Sequence, residues 1–110
     1  MPTQAKTPIA TRKAVLVAQR AAIGSRLAAI EDELDSHQDP DWEDLAAERE
    51  SDEVLEAEGL TGQHDLRQIE AALHRIERDD YGTCVKCGVA IAEQRLDILP
   101  ATPFCSACAT

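Results

Sequence analysis

Four cysteines near the end of the chain constrain it more than any other feature: Cys84-Val85-Lys86-Cys87, then 17 residues, then Cys105-Ser106-Ala107-Cys108. Two close pairs of soft thiolates at this separation form a tetrahedral donor set suited to one zinc ion. Gly88 follows the second thiolate, where the backbone has to turn tightly and point amides at sulfur. The rival readings are a redox dithiol pair and two disulfides. The first needs a pair of this kind inside a βαβ pattern, which the sequence lacks. The second needs an oxidising compartment, and residues 1–11 show no hydrophobic run of signal-peptide type. One structural zinc, bound in the cytoplasm, is the expectation. Four thiolates leave no open position for water, so the metal is not expected to be catalytic.

Such a staple suits the rest of the composition. The 110 residues include one Trp, one Tyr and one Phe, too few large rings for a thick core. Ala, Leu, Ile and Val dominate the apolar set, as in helices packed side by side. Zinc contributes ~10–16 kcal/mol in small modules, enough to order about 30 residues with little apolar filling. In residues 81–110 that filling is expected from Val85, Val89, Ile91, Leu96, Ile98, Leu99 and Phe104.

Ahead of this finger the sequence predicts two long helices, making the fold mostly α. Residues 1–7 form a disordered leader, and Thr7-Pro8 starts the first helix as N-cap and first helical residue. Leu16, Ile23, Leu27, Ile30 and Leu34 fall on three- and four-residue steps, with Arg20 in the remaining slot. Pro40 ends that run, with Asp39 capping a second helix from about Pro40 to Asp79. Leu66, Ile69, Leu73 and Ile76 form its seam, and the same register runs back through Gly62, Gly59, Leu55, Asp52 and Leu45. Each glycine costs ~1 kcal/mol relative to Ala, so bending is expected there, and the pair is either a hinge or merely tolerated. Residues 8–80 thus read as an antiparallel coiled-coil hairpin with its tip at about 36–46, and 81–110 as a four-cysteine finger.

Charge is distributed unevenly. The net charge is −10, yet residues 31–58 alone carry 14 acidic groups against Arg49, a local balance of −13. Such a surface repels phosphates, so direct specific DNA or RNA binding is not expected; a partner with a basic surface or a bound metal fits better. No apolar stretch is long enough to span a bilayer, and no membrane partner is expected. Asp41 and Asp44 sit three apart in the first turns of the second helix, at the positive end of its dipole. They are either helix-capping, solvated acids or a functional pair. Trp42 either grips a partner or covers the turn. His37, His64 and His74 read as surface histidines.

Together these motifs resemble the DksA/TraR family of zinc-containing transcription factors. The finger part is Tyr81-Gly82-Thr83-Cys84-Val85-Lys86-Cys87-Gly88, then Arg95-Leu96, Pro100 and Cys105 to Cys108. The tip part is Asp41, Asp44 and Ala46, matching an Asp-x-x-Asp-x-Ala pattern at the hairpin end. The resemblance implies a bacterial regulator that binds RNA polymerase, with the hairpin in the secondary channel and the tip carboxylates directed toward the active site. It implies no enzymatic step by the factor itself, and a monomer is expected. Trp42 and Arg95 are further candidates for partner contact, although Arg95 has Asp97, Asp79 and Asp80 as alternative partners. The chain departs from longer members in a shorter N-terminal portion and no C-terminal helix. The positions aligned with the family's effector-contacting basic residues are Gln68, Leu99 and Ala109. None is basic, so little strengthening of polymerase binding by guanosine tetraphosphate is expected. Two other classes compete: a zinc-stapled adaptor for another protein, and a magnesium-dependent hydrolase using the tip. The latter lacks the dry, shaped pocket that catalysis needs.

Overall fold

The computed structural model of the chain describes residues 6–35 and 45–109, with side chains described for 6–35 and 51–109. Among these the elements are α1 (Ile9–Asp35), α2 (Leu45–Glu77) and a short α3 (Glu93–Ile98). There is no strand among the described residues, only an isolated antiparallel bridge between Thr83 and Ala90. Among the described residues no helix is long and apolar enough to cross a membrane. The protein is a mostly helical chain with a long helical hairpin and a cysteine cluster after it. The residues expected to cap the second helix, Asp39 and Pro40, lie outside the described residues, as do Leu45's side chain and most of the 1–7 leader.

The chain divides into two compact units, residues 21–66 and the combination of 1–20 with 67–110. In the first, Gly62 lies opposite Leu27 and Ile23 while Gly59 lies opposite Ile30. Numbers fall on α2 as they rise on α1, so the helices run antiparallel. The α2 register passes straight through both glycines, with Asp52, Leu55, Gly59, Gly62 and Leu66 all withdrawn from solvent. A Cβ at Gly62 would come within 2.9 Å of Leu27 Cδ2 and 3.6 Å of Ile23 Cγ2. This glycine is therefore a packing residue, where an added methyl would make the Leu27 side chain shift, and α2 continues unbroken through it.

In the second unit Leu16, Ile69, Ala72 and Leu73 are buried. The α1 seam shifts as it enters this unit. Gln19 is half-buried and Arg20 exposed, reversing the expected assignment, and the row continues to a buried Arg12. A straight helix drifts ~20° per heptad against a strict seven-residue repeat, and the drift accumulated along α1 brings Gln19 rather than Arg20 into the row. At its start, Pro8 O accepts from Thr11 N at 3.0 Å and Arg12 N at 3.2 Å, one residue later than the Thr7 cap expected. At the far end of α2, Asp80 N donates to Arg75 O at 2.8 Å and Asp79 N to Ile76 O at 3.2 Å. That is the Schellman pairing, and it places Asp79 in the left-handed region at φ 55°.

The two glycines that differ in surroundings give a direct check. Gly24 has nothing within 4 Å of an added Cβ, so Gly24→Ala should stabilise the protein by ~0.5–1 kcal/mol. Gly62→Ala should show none of that gain, because Leu27 has to move to admit the methyl. Urea denaturation followed by circular dichroism at 222 nm measures both; equal gains would contradict the packing role.

Candidate metal centre

The cysteine module is built from two turns that face each other. In the first, Cys84 N donates to Val89 O at 2.8 Å and Gly88 N to Cys84 O at 2.9 Å. Gly88 adopts φ 79°, where a side chain would be strained, so the tight turn expected after Cys87 is present. Its amide serves the Cys84 carbonyl, and not a sulfur. In the second turn Cys108 N donates to Cys105 O at 3.0 Å, and Val85 N to Pro103 O at 2.9 Å ties the two turns together.

All four sulfur atoms lie within 4.8 Å of one another, and Cys87 Sγ is 3.7 Å from Cys105 Sγ. Zinc–thiolate bonds of ~2.3 Å in a tetrahedron put sulfurs roughly 3.8 Å apart, so the cluster has the right size. Its electrostatics point the same way. The backbone amide of Cys105, helped by those of Cys87 and Lys86, draws the Cys84 thiol down to about 6. The Cys108 amide, as the main influence, likewise lowers Cys105. Against this, hydrogen bonding with the Cys105 and Cys87 side chains pushes Cys108 up to about 12. Four crowded sulfurs cannot all shed their protons unaided; a divalent cation makes four thiolates compatible. Cys84, Cys87, Cys105 and Cys108 hold one structural zinc, whose contribution is to cross-link the two turns.

The apolar support is thinner than the sequence suggested. Cys84, Ile91 and Leu96 are buried, with Tyr81 and Phe104 packed against them. Val85, Val89, Ile98 and Leu99 are 58%, 59%, 78% and 47% exposed, so four of the seven expected filling residues face solvent. Leu96 reaches this core from α3, which starts after Ala92 without a side-chain cap. The Tyr81 hydroxyl donates to Pro100 O at 2.8 Å, and burial pushes its pKa up.

The residue that sequence reasoning missed is Arg12. Its side chain is 6% exposed, with Nη2 2.7 Å from Glu93 Oε2 and Nη1 2.7 Å from Asp97 Oδ1. Burial opposes the charge, but the bonds to Glu93 and Asp97 outweigh it and raise the guanidinium pKa above its ordinary value. Glu93 Oε2 also accepts from Thr7 N at 3.3 Å. It thereby supplies a negative charge to the start of α1, whose own first turn has no acid. An arginine four residues before Leu16, in line with an apolar seam, was the available signal. Arg95 is half-buried in α3, and its Nε donates to Phe104 O at 3.0 Å, beside Cys105. Asp97, considered above as its partner, is taken by Arg12. Asp41, Trp42 and Asp44 lie outside the described residues, and Ala46 lies in the first turn of α2 with its side chain undescribed. His64 and His74 are exposed.

Sequence comparison supplies the family. The DnaK suppressor protein-like N-terminal domain matches residues 13–76, and the prokaryotic dksA/traR C4-type zinc finger matches residues 79–110. The chain belongs to the DksA/TraR family. A protein of Aquifex aeolicus is 37% identical over 75 residues, 68% of this chain and 52% of that protein. The RNA polymerase-binding transcription factor DksA of Escherichia coli K12 is 38% identical over 45 residues, 41% of this chain and 30% of the factor. The matched part thus spans about half of the first relative and under a third of the second. Among solved structures, the DnaK suppressor protein of Agrobacterium tumefaciens C58 is similar at TM-score 0.67 and 41% identity, covering 99% of this chain and 97% of that one. Transcription factor DksA2 of Pseudomonas aeruginosa is similar at TM-score 0.78 and 29% identity, covering 86% and 74%.

Two outcomes follow for this DksA/TraR module. Purified reduced protein should contain one zinc per chain, and chelation should release protection of residues 81–109 in hydrogen exchange before that of α2. Zinc well below one equivalent, or simultaneous loss of both, would count against a metal-held module. Arg12→Met should cost ~1–3 kcal/mol, since it strips a buried cation from carboxylates that retain some access to water. Arg26→Met removes the Arg26–Glu58 pair, also 2.7 Å long but about half exposed on each side, and should cost under ~1 kcal/mol. Denaturant midpoints rank the two variants, and equal costs would deny Arg12 its special place.

Proposed function

We propose that the protein is a transcription regulator that binds RNA polymerase directly. One observation carries this reading: a DksA-like helical segment and a dksA/traR zinc finger follow one another on a single chain, covering residues 13–76 and 79–110. A relative that is 38% identical over 45 residues is named an RNA polymerase-binding transcription factor. On this reading the factor acts in the cytoplasm as a monomer. Its hairpin enters the secondary channel, and Asp41, Asp44 and Ala46 modulate initiation at the tip. Trp42 and Arg95 are additional contacts. Regulation comes from altered polymerase geometry, without chemistry by the factor and without specific DNA contacts. Guanosine tetraphosphate is not expected to strengthen binding, because Gln68, Leu99 and Ala109 offer no cations to its phosphates. A zinc-stapled adaptor for a different protein is the alternative, and co-purification with polymerase subunits separates the two.

Asp44→Asn tests the tip directly. A carboxylate near the polymerase's catalytic magnesium perturbs the local field in a way that an amide does not. The structural share of Asp44 is expected to be a dipole interaction of ~0.3–1 kcal/mol, too small to unfold the hairpin. The variant should bind polymerase with near wild-type affinity and keep its zinc, yet lose the regulatory effect on a sensitive promoter in a purified transcription assay. Normal regulation by the variant would reduce Asp44 to part of a solvated acidic surface.

A further inference from the structure

Within the unit of residues 21–66, the two helices do not close over one another completely. A groove of about 460 Å³ runs along their seam, lined by Leu27, Ile30 and Leu34 of α1 and by Leu55, Gly59 and Leu60 of α2. Leu60 is 68% exposed, an apolar side chain left in water on a helix with polar alternatives all around it. Gly59 differs from Gly62 in kind. A Cβ at Gly59 would meet nothing nearer than Ile30 Cγ2 at 4.0 Å, so helix packing does not demand a glycine there. What the glycine does is leave the groove open, at a helix-propensity cost of ~1 kcal/mol.

Charge says what fits. Glu31 and Glu56 also line the groove, and both are exposed. They belong to the stretch 31–58, where 14 acidic residues face one basic residue. An apolar trough between two helices, edged by carboxylates, accepts a third helix whose apolar row is flanked by Lys or Arg. A second copy of this chain, at net charge −10, would bring like charges to the rim. We infer that this groove docks a cationic amphipathic helix of RNA polymerase, an inference that rests on the polymerase reading above. Gly59 admits the apolar side chains, and Glu31 with Glu56 sets their orientation and the salt dependence of binding.

The test is the affinity of the full-length protein for purified core RNA polymerase at low and moderate salt. It compares wild type with Gly59→Met, Gly24→Met and the double variant Glu31→Gln/Glu56→Gln. Both methionine variants should melt at or above the wild-type temperature, since each replaces a helical glycine. Gly59→Met should weaken binding by about tenfold or more through filling the groove, while Gly24→Met, with open space around it, should bind as wild type. The double glutamine variant, which leaves the packing untouched, should bind less tightly and with a shallower salt dependence. Wild-type affinity in Gly59→Met, equal losses in both methionine variants, or unchanged salt dependence in the glutamine variant would each overturn the groove. A shift in Trp42 emission in free Gly59→Met but not Gly24→Met would show the chain's own tip segment in the groove, and would equally overturn it. Failure of the wild type to bind polymerase at all would remove the polymerase reading and this inference with it.

Discussion

The whole of residues 81–109 depends on four sulfur atoms being drawn to one cation. Its buried apolar cluster is Cys84, Ile91 and Leu96, with Tyr81 and Phe104 among the residues partly covering them. That is too little apolar surface to hold two irregular turns and a six-residue helix. Even the buried core includes one of the ligands. Amides directed at Cys84 and Cys105 lower those thiols, yet the cluster pushes Cys108 up to about 12. The turns thus prepare a site whose own thiols resist being ionised together, and zinc resolves that conflict while closing the fold.

A second fixed point is the Arg12 clamp. Arg12, on α1, bonds both Glu93 and Asp97, which are one turn apart on the same short helix that delivers Leu96 to the core. Glu93 meanwhile accepts from Thr7 at the start of α1. One guanidinium and two carboxylates thereby tie the beginning of α1 to α3. The zinc module is thus supported by metal coordination within it and by the buried Arg12 guanidinium that pairs with it from α1.

Much of this was legible in the sequence because it is periodic or local. The cysteine spacing announced the cluster, and three- and four-residue steps announced the α2 seam, even through Gly59 and Gly62. What the sequence does not reveal depends on partners far away in the chain. Arg12 is 81 residues from Glu93, and its place in line with the apolar seam hints at burial without identifying the partner. The shift of the α1 seam from Arg20 to Gln19 follows from helical drift, which a strict heptad reading ignores. Val85, Val89, Ile98 and Leu99 looked like core because they are apolar, but a metal-held turn needs no apolar interior, so they are free to face outward. The short α3 has neither a capping side chain nor the length to show periodicity. For the tip, sequence remains the source of the reading, since Asp41, Trp42 and Asp44 lie outside the described residues.

On the proposed reading these parts divide the work. The acidic stretch gives the hairpin its preference for basic surroundings, and the stapled module gives it a defined base. A photo-crosslinking residue in place of Trp42, with crosslinks to purified RNA polymerase mapped by mass spectrometry, tests that account most directly. It predicts crosslinks confined to segments of the catalytic subunits that line the secondary channel near the active site. Crosslinks scattered over the outer surface of the enzyme, or none at all under conditions where the protein binds, would contradict it.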